Sequence, residues 1–289
     1  MQRAVSRRRF LGTAGGAVVG GFAAWTASPG ILRAADDASL YGGFPLGIQS
    51  YTLRAYSLDS ALKIIHEDLG LHFVEMTGSH MPAGASPEEI QKILAKAAAV
   101  DIKIDGHGVN GFSKDHEANR RLFEFAKRSG IHTLSADPSE DAFDSLDKLV
   151  VEYDVRIAIH NHGPGARYNK VTDVLTAIKG HHPYIGACAD LGHYIRSGED
   201  PVRVINLLAG RLYGLHLKDY DQPKADAHGV ILGRGQLDLA GVFRALKKVE
   251  FPANGCLSVE YEENANDPVD DVKQCLAACA EGAQKAARS

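Results

Sequence analysis

Two patterns of hydrophobic and polar positions alternate along most of the chain. Eight short runs of five to eight residues, rich in β-branched and other apolar residues, have the composition of strands. They read LGIQSY, HFVEM, IKIDGHG, IHTLSAD, VRIAIHNH, YIGACAD, LYGLHLKD and CLSVEYE. Between them lie helical stretches with apolar residues every three or four positions, among them SPEEIQKILAKAAAV, EANRRLFEFAKRSG and LAGVFRALKKVE. Such strict alternation predicts an α/β fold, a closed parallel (β/α)8 barrel.

An open, doubly wound sheet is the alternative that the same alternation allows. That fold usually carries a glycine-rich phosphate-binding turn after its first strand. Here the first strand is followed by Tyr51-Thr52-Leu53-Arg54, which contains no glycine. The absence of this turn favours the closed barrel.

The alternation within single strands predicts which side chains face the barrel interior. Ile157 and Ile159 should face the helices, while Ala158 and His160 should face inward, because successive side chains point to opposite faces of a strand. The same count assigns further residues inward (Gly214, His216, Ser258, Glu260) and outward (Leu215, Leu217, Leu257, Val259). The polar inward residues lie at the carboxyl ends of the strands, where barrels of this kind carry their catalytic groups.

Four adjacent strands each end with a residue that can bind a metal. They are His160 on strand five, Asp190 on strand six, His216 on strand seven and Glu260 on strand eight. A mixed imidazole and carboxylate set suits a transition metal better than calcium, which prefers oxygen ligands alone. We therefore expect one divalent ion, drawn from Mn, Co, Zn, Fe, Ni or Mg, with positions left for substrate or water.

The motifs HFVEM, IAIHNHG, DLGH, HLKD and SVE occur in this order along nearly the whole chain. Together they resemble the xylose isomerase-like TIM barrels of the sugar phosphate isomerase/epimerase family, which includes ketose 3-epimerases, hydroxypyruvate isomerases, inosose dehydratases and endonuclease IV. In that family a Glu, an Asp, a His and a Glu on strands five to eight hold the metal. The resemblance implies that Asp190, His216 and Glu260 are ligands, and Asp190 and His193 match the family's Asp-x-x-His.

Strand five departs from the family pattern. Relatives typically read Glu-Asn-His where this chain reads His160-Asn161-His162. The resemblance implies that epimerases use two glutamates on opposite faces of the sugar, so the loss of one disfavours simple ketose epimerisation. A neutral ligand in place of an anion also leaves the metal more electropositive, which favours a polarised substrate oxygen or a more acidic bound water.

Other polar residues near the strand ends are candidates for proton transfer or substrate contact. Glu75 is expected to act as an acid or to bind a sugar hydroxyl, or else to form a salt bridge with a neighbouring strand. Lys218 is expected to stabilise a developing enolate oxygen, or else to pair with Asp219. Glu260, or His160 if it does not bind metal, is the expected base. The expected substrate contacts are Gln49, Tyr51, His107, His162, His193 and Arg234.

The segment DQPKADAHGVILGRGQLDL after strand seven is long for a connection and is predicted to cover the site. Its GRGQLDL resembles the family's Gly-x-Gly-x-x-Asp turn, and a Gly-x-Gly alone is weak support for phosphate binding. The triplet Asp226-Ala227-His228 raises the possibility of a multi-metal endonuclease, because that branch takes extra ligands from an Asp-x-His here. The acidic charge of the mature chain disfavours this possibility.

The first residues have the pattern of an export signal. The stretch SRRRFLG, followed by a weakly apolar Gly/Ala-rich run, resembles a bacterial twin-arginine signal, here spanning 1–34 ahead of a barrel at 40–289. An uncleaved anchor is the alternative, although glycines interrupt the apolar run. The resemblance implies a twin-arginine translocase as partner and a periplasmic or otherwise exported protein that folds, with its metal, before export.

Removal of this segment changes the charge of the protein. Five arginines precede Asp36, so cleavage takes the formal charge from −4 to −9. An acidic protein is a poor ligand for polyanions, and we expect no nucleic-acid partner. Two of the four cysteines lie in predicted strands and two on a predicted helix, which indicates buried free thiols rather than a disulfide framework (Cys188, Cys256, Cys275, Cys279).

The sequence therefore predicts a metal-dependent isomerase or epimerase that acts on a keto-sugar or related carbohydrate through an enediolate. The alternative is a lyase or hydratase acting on an oxidised glycoside or an inosose, which shares the first proton removal. A metal-dependent endonuclease and a non-catalytic sugar-binding protein are less favoured.

Overall fold

The computed structural model describes residues 39–288, and the predicted export signal at 1–34 lies outside that range. Eight parallel strands form a closed barrel in which each strand pairs with its neighbours and the last pairs with the first. They are β1 Leu46–Gln49, β2 Phe73–Met76, β3 Lys103–Phe112, β4 Thr133–Pro138, β5 Arg156–His160, β6 Ile185–Asp190, β7 Leu212–Leu217 and β8 Cys256–Val259. The predicted (β/α)8 barrel is confirmed.

The helices surround the barrel. They are α1 Leu58–Lys63, α2 Pro87–Ala99, α3 His116–Ser129, α4 Phe143–Tyr153, α5 Val171–Ala177, α6 Leu191–Arg196, α7 Pro201–Leu207, α8 Leu239–Lys248 and α9 Val269–Ala287. A π-helical turn at Ile64–Asp68 extends α1, and 3-10 turns occupy Ser50–Leu53 and Glu140–Ala142. Two short helices, α6 and α7, connect β6 to β7, where the alternation predicts one. Two short strands, Asp219–Tyr220 and Gly229–Val230, form a hairpin after β7.

Side-chain caps set the beginnings of several helices. Ser86 and Glu89 form a capping box at the start of α2, each side chain bonding the other residue's backbone N–H. Asp190 caps α6 in a related way, because its Oδ1 accepts a hydrogen bond from the backbone N–H of His193 at 2.8 Å. This cap fixes the orientation of a carboxylate at the carboxyl end of β6.

The two faces of the strands belong to different clusters of buried residues. Ile157 and Ile159 join the large core between the barrel and its helices. Ala158 joins a separate small cluster with Cys188 and Tyr213. The inward and outward assignments made from the alternation on strand five therefore hold.

A bulge in β3 changes which of its residues face the interior. Val74 pairs with Ile104 and Glu75 pairs with Gly106, so one extra residue, Asp105, lies between the two pairs. A Cβ atom on Gly106 would lie 3.2 Å from Glu75 Cγ, which shows that Gly106 faces inward. His107 then faces the helices.

All four cysteines are free and buried, as expected. Within residues 39–288, none of the helices has both the length and the apolar character needed to span a bilayer.

Candidate metal-dependent active site

Four side chains converge at the carboxyl ends of β5 to β8, and their ligand atoms all lie within 4.8 Å of one another (His160, Asp190, His216, Glu260). His216 Nδ1 is 3.0 Å from His160 Nε2 and 3.1 Å from Glu260 Oε2. Asp190 Oδ2 is 3.7 Å from His160 Nε2 and 3.9 Å from His216 Nδ1. Ligands bound to one cation at about 2.0–2.2 Å lie about 3–4 Å apart, so this cluster could hold a metal.

The charges around the cluster also fit a divalent cation. Three buried carboxylates, those of Glu75, Asp190 and Glu260, lie in or beside the cluster, and among the described residues the only buried ammonium is that of Lys218. Burial alone would lower the pKa of His216, but Cys188, Glu75 and Glu260 raise it well above its usual value, so His216 holds a proton in the absence of metal. A metal that replaces this proton leaves the three carboxylates opposed by Lys218 alone, with two negative charges in excess, which is costly away from water. Asp190 Oδ2 is buried and accepts no well-directed hydrogen bond, although Lys218 Nζ lies 2.9 Å away. A doubly charged ion would balance the group.

Asn161 holds Asp190 in place. Its amide nitrogen donates to the backbone carbonyl of Asp190 at 3.0 Å, and its Oδ1 accepts from the backbone N–H of Asp190 at 2.9 Å. With the other carboxylate oxygen capping α6, only Oδ2 is left facing the cluster. Asn161 was not among the predicted site residues. Its position between His160 and His162, two candidate site residues, could have indicated a role in the site.

Lys218 contacts two of the clustered carboxylates. Its Nζ lies 2.9 Å from Asp190 Oδ2 and 2.7 Å from Glu260 Oε2, and 2.6 Å from Glu262 Oε1. Burial alone would lower the pKa of Lys218, but these carboxylates raise it well above its ordinary value. Gly192 makes room for this side chain, since a Cβ there would lie 2.5 Å from Lys218 Cγ. Lys218 is therefore a charged partner of the cluster.

One histidine of the cluster, His160, and one beside it, His193, are neutral at ordinary pH. Burial lowers the pKa of His160 well below its usual value, and the neighbouring His216 adds to the effect. Burial and the charge of Lys218 lower the pKa of His193 to about 3. A neutral imidazole has a free lone pair, which it needs in order to bind a metal or accept a proton.

A second group of potential ligands shares His216 with the cluster and adds Glu75 and Cys188. Burial raises the pKa of Cys188 to about 11, so its thiol stays protonated, and a thiol binds metal only as the thiolate. His216 Nε2 is 2.7 Å from Glu75 Oε2. In the absence of metal, the Glu75 contact is therefore a hydrogen bond with the His216 ring.

A cavity of about 540 Å³ opens above the cluster. Six of the predicted site residues line it: Gln49, Tyr51, His160, His162, His193 and Glu260. The volume is that of a small-molecule site. Polar groups line the cavity at its cluster end, and the partly exposed ring of Tyr51 also lines it.

Glu262 also lines this cavity, and the sequence analysis did not select it. Its side chain is 35% exposed and pairs with Lys218. It lies two positions after Glu260, so the period-two pattern that selected Glu260 also places Glu262 on the same side. The site therefore presents two carboxylates to a substrate.

The other six predicted site residues do not line this cavity. Asp190, His216 and Lys218 are buried in or beside the cluster, and Glu75, His107 and Arg234 lie away from the cavity. Glu75 is only 1% exposed and lies beneath the cluster, so it is not placed to contact a sugar hydroxyl. His107 contacts the ring of Phe125 and bonds the carbonyl of Met81, because the β3 bulge turns it outward. Arg234 bonds Gln274 at 2.6 Å and lines a separate groove beside α8 and α9.

Beyond Lys218, the connection after β7 approaches the site at Tyr220, and the prediction that residues 221–239 cover the site is wrong. The ring of Tyr220 lies 6.4 Å from that of His193, and no residue of this connection lines the cavity described above. The Asp226 side chain is 80% exposed and pairs with Lys224. Among the described residues, neither Asp226 nor His228 belongs to a group that could hold a metal, which removes the structural support for an endonuclease-like centre.

The glycine-rich turn of this connection binds a carboxylate of its own chain. Asp219 accepts five backbone N–H groups, from Tyr220, Gly233, Gly235, Gln236 and Leu237, at 2.8–3.0 Å. Asp219 therefore organises the turn and is not the partner of Lys218.

Comparison with known proteins gives the family. A model of the xylose isomerase-like TIM barrel family matches residues 65–279. The chain belongs to this family. The structure of an L-ribulose 3-epimerase superposes with a TM-score of 0.67 at 17% identity over 85% of this chain and 96% of that chain. At that identity the likeness shows the fold alone.

More similar sequences occur elsewhere in the family. The chain is 25% identical over 181 residues to the 3-oxo-isoapionate decarboxylase of Pectobacterium atrosepticum, covering 57% of this chain and 64% of that one. It is 28% identical over 121 residues to an inosose dehydratase of Clostridium beijerinckii, covering 42% and 39%. The matches thus span less than two thirds of these relatives. A solved structure from Parabacteroides distasonis, of an uncharacterised protein, is 28% identical with a TM-score of 0.63 over 81% and 97% of the two chains.

Proposed function

We propose that the protein is a metal-dependent lyase that acts on a small polyhydroxy ketone, such as an inosose or a keto-sugar. The observation that carries the proposal is His160: strand five directs an imidazole, not a second carboxylate, at the metal cluster. Epimerisation by paired bases needs a proton acceptor on each face of the substrate, whereas elimination needs one base next to the carbonyl. The names of the two relatives describe the loss of a small molecule, carbon dioxide in the decarboxylase and water in the dehydratase, and the loss of water from a hydroxy ketone begins with this proton removal.

His160, Asp190, His216 and Glu260 would hold the metal, which would act as a Lewis acid on a substrate oxygen. Glu260 lines the cavity and takes the proton next to the carbonyl. Burial favours its protonated form, but Lys218 and His216 outweigh burial and lower the pKa of Glu260 well below its usual value. Glu260 is therefore ionised at neutral pH, as both a ligand and a base must be.

The Lys218 ammonium lies among Asp190, Glu260 and Glu262, close to where negative charge develops on a substrate oxygen. A fixed positive charge at such a place lowers the barrier to proton removal. Gln49 and His162 line the same cavity and would orient hydroxyl groups of the substrate. After the proton is removed, loss of hydroxide from the β-carbon releases water and leaves an unsaturated ketone.

An isomerase or epimerase is the second candidate, and Glu262 favours it. This carboxylate lines the cavity two residues after Glu260 and could return a proton to another carbon or face. The first step, proton removal by Glu260, is shared with the lyase. The two candidates differ in whether Glu262 is required and in whether the product has lost mass.

Mass spectrometry of products formed in deuterated water separates the candidates. An inosose, 3-oxo-isoapionate and a ketohexose are incubated separately with the metal-loaded protein. A lyase gives a product lacking water or carbon dioxide, while an isomerase or epimerase gives a product of unchanged mass apart from deuterium. Glu260→Gln should abolish turnover in both cases, and Glu262→Gln should spare the lyase. Products of unchanged mass, lost with Glu262→Gln, would exclude the lyase in favour of the second candidate.

We also propose that residues 1–34 direct export through a twin-arginine translocase. The proposal rests on Arg7-Arg8-Arg9 and the following Phe-Leu-Gly, ahead of a weakly apolar run. That route carries folded proteins, so the metal would be acquired before export.

A further inference from the structure

We propose that Glu75 is a positioning residue that holds the Nε2–H of His216 and so presents the other ring nitrogen, Nδ1, to the metal. The inference rests on the proposed metal centre and is independent of the reaction catalysed there. Glu75 would thus act through the ring of His216 and not by contact with substrate.

The two nitrogens of the His216 ring have separate partners. Nε2 lies 2.7 Å from Glu75 Oε2, while Nδ1 lies 3.1 Å from Glu260 Oε2 and 3.0 Å from His160 Nε2. The ring is rigid, so a hydrogen bond to Nε2 fixes both the direction of Nδ1 and the tautomer in which Nδ1 carries the lone pair. A carboxylate partner also increases the basicity of the ligating nitrogen.

Glu75 is itself held in place from β4. Its Oε1 accepts a hydrogen bond from the Ser135 hydroxyl, and its Oε2 is left for His216. Ser135, Glu75 and His216 are all buried, so water does not compete for these bonds. A chain of contacts therefore runs from β4 through β2 to the metal cluster on β7.

Two glycines of β3 leave space for this chain of contacts. A Cβ on Gly106 would lie 3.2 Å from Glu75 Cγ and 2.5 Å from Cys256 Sγ. A Cβ on Gly108 would collide with the Ser135 hydroxyl. The Gly-His-Gly of β3 thus leaves room for the Glu75 and Ser135 side chains.

Metal affinity of the purified protein tests the proposal without any substrate. Metal is removed, and Zn²⁺ and Mn²⁺ binding are measured by competition with chelators of known affinity. Glu75→Gln preserves the size of the side chain but removes its charge, and we expect it to weaken binding by about 10–100-fold. Ser135→Ala should weaken binding in the same direction by a smaller factor, because Glu75 keeps its charge but loses one of its two anchors.

Asp105→Asn is the matched control. Asp105 is a carboxylate on the neighbouring strand with both oxygens buried, and neither oxygen forms a hydrogen bond to the cluster. Its substitution replaces a buried carboxyl near Glu75 with an amide without touching His216, so metal affinity should stay within about threefold of the wild type, well short of the loss expected for an outer-shell partner.

Nitrogen NMR of the histidine-labelled zinc protein provides a readout that a merely structural role would not change. In the wild type, His216 should show a proton on Nε2 and metal on Nδ1, and in Glu75→Gln this tautomer should be less populated. A folded Glu75→Gln with unchanged affinity and tautomer would overturn the proposal. If Glu75→Gln does not fold, unchanged affinity in Ser135→Ala overturns it. Failure of the wild type to bind either metal would remove the metal centre and this inference together, whereas product analysis judges the lyase separately.

Discussion

Asp105, the extra residue in the β3 bulge, should make the stability of the protein depend on pH in a direction opposite to that of most carboxylates. Both of its carboxylate oxygens are buried and neither has a hydrogen-bond partner. Burial, reinforced by the nearby charge of Glu75, raises the pKa of Asp105 from 3.8 to about 7. Replacing it with Asn removes the titration while keeping the size of the side chain.

The size of the effect follows from that shift. A difference of about three units between the pKa of Asp105 in the folded and unfolded states corresponds to roughly 4 kcal/mol in the free energy of unfolding. Below about pH 4 the Asp105 carboxyl is protonated in both the folded and the unfolded protein, so its ionisation does not affect the free energy of unfolding. Between about pH 4 and about pH 7 only the unfolded state has lost the proton, so the free energy of unfolding falls as the pH rises. Above about pH 7 the carboxyl is ionised in both states, and the folded protein is destabilised by the full roughly 4 kcal/mol.

Urea unfolding of the metal-free wild type and Asp105→Asn, measured from about pH 4 to about pH 8, checks this reasoning. The variant should gain stability relative to the wild type as the pH rises, with most of the roughly 4 kcal/mol appearing by about pH 7. Any constant cost of burying the amide shifts the whole difference without changing its slope. A difference that is flat across this range would refute the reasoning.

The remaining predictions concern the metal and the location of the protein. Elemental analysis should find about one divalent metal per chain in the wild type and almost none in Asp190→Ala or His216→Ala, since each variant removes one of four ligands; stoichiometric metal in both variants would contradict the assigned ligand set. Changing Arg7 and Arg8 together to Lys should retain the protein in the cytoplasm, and fractionation that still recovers it in the periplasm would show that the motif has another meaning.

The barrel and much of its site could be predicted because parallel strands follow a simple rule. Side chains alternate between faces, and the carboxyl ends of all strands meet at one rim. That rule was sufficient to place His160, His216 and Glu260 together. It also places Glu262, which a second step of the same count would have found.

The rule fails at β3, where one inserted residue, Asp105, reverses the facing of Gly106 and His107, and a second register shift follows between His107 and Asn110. In the sequence IKIDGHG, an unbroken alternation puts Asp105 and His107 on the same face, and nothing in the sequence marks the insertion. Glu75 was correctly expected to face inward, but its depth beneath the metal depends on contacts with His216 and Ser135 from distant strands. Arg234 was selected from a motif resemblance, and its position depends on the path of a long connection.

The carboxylate of Asp219 in the glycine-rich turn has a consequence for how this protein could change during evolution. The five N–H groups that Asp219 binds would otherwise be available to an external anion. A phosphorylated sugar approaching this turn would meet a fixed negative charge instead of free donors. For this turn to bind the phosphate group of a substrate, Asp219 would first have to be lost. That loss would leave the five N–H donors without an acceptor and destabilise the turn before a phosphate could replace the carboxylate. Proteins that descend from this chain are therefore expected to keep Asp219 and not to bind a substrate phosphate at this turn.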